Sequence, residues 1–134
     1  AMILGADGVQ IGSRFAASNE SSAHEKFKQE IINANEGDTE LTLKELTPVR
    51  MMKNKFYDKI QEAYFNNASK EELAILLGKG RAKKGMFEGD LINGELEIGQ
   101  ISAYINDIKP VSEIMSELIQ EYNFILSNTN DYKI

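Results

Sequence analysis

The sequence predicts an α/β chain that is itself mostly helical, with its one strand at the start. Three observations carry that expectation. Val9 and Ile11 flank Gln10 in a short alternating run between Gly8 and Gly12, the pattern of a buried strand of a few residues. Ahead of it, the apolar Ala1–Leu4 closes on Gly5, as the last turn of a helix closes on a left-handed glycine. Behind it, apolar residues recur at helical spacing through most of the chain.

The elements follow in order. Ala16–Ser22 is small and polar, a loop rich in caps, and Ser22 with Glu25 has capping-box spacing. Ala23, Phe27, Ile31 and Ala34 then mark a helix over about 23–35, ended at Gly37. Thr39–Thr47 is ambiguous: Leu41 and Leu43 alternate with Thr42 as in an extended piece, and Pro48 terminates it. From Val49, with Pro48 at N1, residues Met52, Phe56, Ile60 and Ala63 line one helical face. Ser69 and Glu72 form a second capping box, before Leu73, Leu76 and Leu77 in a short helix ending at Gly78. Gly78–Gly99 is glycine-rich and reads as an ordered loop, with room for a small hairpin at Asn93–Gly94. Gly99–Gln100 opens a helix with Ile101, Ile105 and Ile108 on one face. Pro110 restarts it, and Val111, Ile114, Met115, Leu118, Ile119, Tyr122 and Ile125 make an apolar stripe. Asn128–Ile134 is a polar, frayed tail.

Composition sets the outer bounds. An apolar fraction of 42% and a charged fraction of 27% are ordinary for a soluble domain. A net charge of −6 argues against a nucleic-acid surface, and the basic clusters at Arg50–Lys59 and Lys79–Lys84 read as solvated faces. The absence of cysteine excludes disulfides and zinc–thiolate sites from this stretch and fits a cytoplasmic protein. The apolar opening is about six residues, far short of the roughly twenty that a membrane span requires.

Gly12 at the end of the strand removes a Cβ, so main-chain N–H groups can approach a ligand, and Ser13 adds a hydroxyl. Those are parts of a phosphate cradle, although Gly-Ser after a strand is more often a plain turn. A solitary strand leaves its edges unpaired, so the chain reads as the tail of a larger protein. Helix, strand and phosphate-friendly turn together form the last unit of a TIM (β/α)8 barrel, whose whole needs about 250 residues.

Four blocks in order, GADGVQIGSRF, ESSAHEKFK, VRMMKNKF and EGDLINGELEIGQISAYINDIKP, closely resemble the C-terminal part of the nitronate monooxygenase family. That family includes the proteins long called 2-nitropropane dioxygenases and the flavin-dependent enoyl-acyl-carrier-protein reductase II. The resemblance implies three regions. Residues 1–22 are the end of a barrel helix, the last strand and the phosphate turn; 23–99 are a helical lid; 100–134 are barrel-packing helices and a tail. It implies FMN as cofactor, with Gln10, Gly12 and Ser13 against the FMN phosphate; the family more often has threonine where this chain has Ser13. Arg14 and Phe15 match too and are assigned to packing and loop shape. Glu20 matches a recurring family glutamate, expected to fix its loop by accepting backbone N–H bonds. The Gly99–Gln100 block is read as structural before ligand-facing.

The implied function is oxidation of alkyl nitronates by oxygen through the flavin. The runner-up is reduction of an enoyl thioester with NAD(P)H, to which ESSAHEKFK and VRMMKN look slightly closer. A reading of another class is a non-catalytic helical binding module. No catalytic residue and no metal site is expected within this stretch: the family's catalytic histidine lies upstream, and His24 sits where a ring caps or packs. Glu20, Asp38, Asp58 and Asp90 make no metal pair with it. The partners expected are FMN and a small-molecule substrate, with no nucleic acid and no membrane, and a homodimer is left open. The chain alone is expected to be inactive.

Overall fold

The computed structural model describes residues 1–129. Its elements are a 3-10 turn at Met2–Leu4, α1 (Ser13–Ala16), α2 (Glu25–Asn33), β1 (Thr39–Thr42), β2 (Val49–Met52), α3 (Lys55–Phe65) and α4 (Lys70–Leu77). A π-helical turn at Lys83–Phe87, a 3-10 helix at Gln100–Tyr104 and α5 (Val111–Thr129) complete them. Gly5, at φ 92°, closes the opening turn by donating its N–H to Met2 O, as the sequence predicts.

β2 separates two cores. It pairs antiparallel with β1, in the register Thr39↔Met52 and Thr42↔Val49. Successive strand side chains point to opposite faces, so Met51 packs with Leu43, Phe56, Ile60 and Leu73 on one side. Met52 packs with Phe27, Ile31, Leu96 and Ile98 on the other. Burial of each such side chain stabilises the fold by about 1.5–3 kcal/mol. On the free edge of β2, Met52 N–H donates to Leu96 O (2.9 Å) and Ile98 N–H to Arg50 O (3.2 Å). The 95–98 segment thus lies along the sheet as a third, short member.

Several sequence expectations change here. Gly8–Ile11 enters no ladder among the described residues, and Val9 is 65% exposed. A strand exists only through its neighbours' N–H and C=O groups, and nothing in residues 1–129 supplies them. Residues 49–52 are strand, not helix: α3 starts at Lys55, with Asn54 as N-cap. Met52 fits the helical spacing of Phe56 and Ile60 but faces the other core. The flanks of Asn93–Gly94 do not pair with each other, because 95–98 pairs with β2 instead. The segment after Gly99 is a 3-10 turn rather than an α-helix. α2 begins at Glu25, capped by His24 rather than by a Ser22 box, with His24 Nδ1 accepting from Lys26 N–H. The Ser69–Glu72 capping box forms with both reciprocal bonds. Of the expected tail, residues 130–134 lie outside the described residues.

Two side chains fasten the turn at 90–94. Asn54 donates to Leu91 O and Gly94 O while its own oxygen accepts Tyr57 N–H, so its amide is fully used. Arg81 donates to the last carbonyls of α4, Leu76 and Leu77, and to Asn93 O, and its guanidinium lies 4.2 Å over the Phe56 ring. Gly94 is glycine because a Cβ there would fall 2.2 Å from Gly85 Cα: the two backbones touch.

Candidate phosphate-binding turn

Residues 8–13 leave the opening turn as irregular chain and enter α1 at Ser13. Gln10 and Gly12 are exposed, and Ser13 is partly covered. A Cβ built on Gly12 would meet nothing within 4 Å, so its outer face is open. Ser13 Oγ accepts the N–H of Gly99 at 3.1 Å. The turn and the Gly99–Gln100 block, far apart in sequence, therefore touch. That contact is what sequence reasoning missed; the signal was a glycine ahead of Gln100 that no turn required.

The loop behind the turn is tied to 107–111 at every step. Arg14 donates to Asp107 O (3.0 Å) and pairs with its carboxylate. Asn19 N–H donates to Lys109 O, and Ser18 and Lys109 form an isolated parallel bridge. Glu20 accepts Val111 N–H with both oxygens, at 2.9 and 3.1 Å, which fits its expected loop-fixing role and also caps α5. Lys28, its side chain 2% exposed, reaches back to Asn19 O and Glu25. Asp107 is held below the usual carboxylate range by Lys109 and then by Arg14. These contacts agree with the packing role expected for Arg14.

Beside the turn, a groove of about 640 Å³ opens between the first residues and α5, lined by Met2, Val9, Ile11, Phe15, Met115 and Ile119 among others. Its walls are almost wholly apolar. His24 lies away from this turn, with its N–H donating to Met86 O and its ring against Gly89. Among the described residues no helix is long and apolar enough to cross a membrane.

The open side of Gly12 and the Ser13 hydroxyl thus adjoin at the surface of a chain that is half helix and little sheet. A family model for nitronate monooxygenase matches residues 1–121. The chain belongs to the nitronate monooxygenase family. A probable nitronate monooxygenase of Bacillus subtilis is 33% identical over 122 residues, which is 90% of this chain and 35% of that protein. A probable nitronate monooxygenase of Staphylococcus aureus strain Newman is 30% identical over 129 residues, covering 93% of this chain and 35% of that protein. The solved structure of FabK from Thermotoga maritima superposes with a TM-score of 0.87 at 34% identity, over 98% of this chain and 42% of that one. The chain thus spans about a third of the curated relatives' length.

Proposed function

We propose that this chain is the C-terminal part of an FMN-dependent oxidoreductase that oxidises alkyl nitronates with oxygen, and that its first 22 residues close a TIM barrel. Gln10, Gly12 and Ser13 lie against the FMN phosphate. The observation that carries this is the donor set: Gly12 is open on the side a Cβ would occupy. Ser13 Oγ already accepts one N–H, so its own proton is left to donate. Both features suit an acceptor-only phosphate. Bound FMN supplies the redox chemistry. The chain's own part is to hold the phosphate end, and through the 23–99 lid to shape the mouth of the pocket.

A second reading, reduction of an enoyl thioester by NAD(P)H through the same cofactor, is favoured by ESSAHEKFK and VRMMKN. Reduction of the full-length flavoprotein, followed by stopped flow with NAD(P)H and with a nitronate, separates the two: the faster reductant names the substrate class. The cofactor placement has its own test. In the full-length protein, Gly12→Val puts a branched side chain where the phosphate sits, and the flavin is lost on gel filtration. Unchanged flavin content overturns the placement.

A further inference from the structure

The glycine at position 99 has an ordinary backbone, φ −71° and ψ 157°, which any residue adopts. Conformation therefore does not call for glycine there. Space does: a Cβ at 99 would stand 2.8 Å from Ser13 Oγ. At that approach the Gly99 N–H reaches Ser13 Oγ at 3.1 Å. A serine hydroxyl has one proton and two lone pairs. An N–H on one lone pair turns the hydroxyl proton away from Gly99, and among the described residues the hydroxyl donates to no protein acceptor.

The geometry points to Gly99 as a positioning residue for phosphate recognition: its main-chain N–H sets the Ser13 hydroxyl as a fixed donor toward the bound phosphate. This deepens the cofactor reading above and rests on it. The contact also explains how the far end of the lid reaches the cofactor. Asn54 and Arg81 fix the 90–94 turn, β2 fixes 96–98, and Gly99 delivers the outcome to Ser13. A fixed donor discriminates between FMN, whose phosphate only accepts, and riboflavin, which lacks it. Threonine at 13 keeps the same oxygen and proton.

A double-mutant cycle in the full-length apoprotein tests this, with dissociation constants for FMN and for riboflavin read by flavin fluorescence. Ser13→Ala is expected to weaken FMN by about tenfold to a hundredfold, as for a hydrogen bond to a charged group, and to leave riboflavin unchanged. Gly99→Ala displaces the hydroxyl and is expected to weaken FMN by a similar factor, yet to add under about twofold in the Ser13→Ala background. Ser13→Thr should stay near the parent. Unchanged riboflavin affinity in each variant shows the pocket still folded. Should Gly99→Ala have no effect, or the same effect in both backgrounds, the positioning role is wrong while the phosphate site stands. Should Ser13→Ala leave the FMN-to-riboflavin ratio unchanged, both fall together.

Discussion

Glu95 is buried between the 90–94 turn and the edge of β2. Burial, with Glu97 beside it, pushes its carboxyl from 4.5 up to about 7, against the opposing pull of Arg81. The folded chain therefore binds a proton that the unfolded chain has released between these values. That contribution is fully present below 4.5 and is lost as pH rises to about 7. Glu95→Gln keeps the shape without the charge. In the full-length protein its thermal midpoint should exceed the parent's at pH 8 and match it near pH 4.5. An equal difference at both pH values would show that charge at this position is irrelevant. Asn54 is the opposite case, a neutral amide with each bond satisfied, and it matters by holding two carbonyls that would otherwise lie unpaired.

At the level of elements, α5 is started from outside itself. The Glu20 carboxylate supplies the acceptor for its first amide, and Lys109 bridges Asp107 to Glu117 on its first turns. Both partners raise Lys109 above its ordinary value, Glu117 first. Glu20→Ala is expected to cost about 1 kcal/mol, as for a lost helix cap, and to speed hydrogen exchange at Val111. Unaltered exchange there would mean that Pro110 alone starts the helix. These contacts also show what a single sequence makes visible. Local signals were legible: the Ser69–Glu72 box, Gly5 and Pro110 act within one turn, and the stripe of α5 lies within one element. The β1–β2 hairpin was not, because Met52 belongs equally to a strand period and to the helical period of Phe56 and Ile60. Only the choice of core, made across the whole chain, decides between them. The proposed site was named from Gln10, Gly12 and Ser13, while the contact between Ser13 and Gly99 was not legible, since no spacing rule links positions so distant.

On the scale of the whole chain, one face of α5 stays open. Ile114 is buried, while Met115, Ile119, Tyr122 and Ile125 are exposed along the apolar groove that Val9 and Ile11 share. Exposed apolar surface of this kind marks a contact face, and the proposed reading assigns it to the remainder of the barrel. The 134-residue chain made alone should accordingly bind an apolar dye strongly and retain no FMN on gel filtration. A tight stoichiometric FMN complex of that chain would contradict the reading, because the isoalloxazine pocket would then have to be built from residues 1–134 alone.

The hydrogen bond from Gly99 to Ser13 spans 86 positions, and it sets a timetable for the cell. On a ribosome moving at about 5–20 residues per second, the serine waits roughly 4–17 s for its donor to be synthesised. Until then the Ser13 hydroxyl has no partner in Gly99 to fix its orientation. On the proposed reading, cofactor loading would therefore wait until residue 99 has been synthesised, and a translation stall between positions 13 and 99 would leave the turn without that contact.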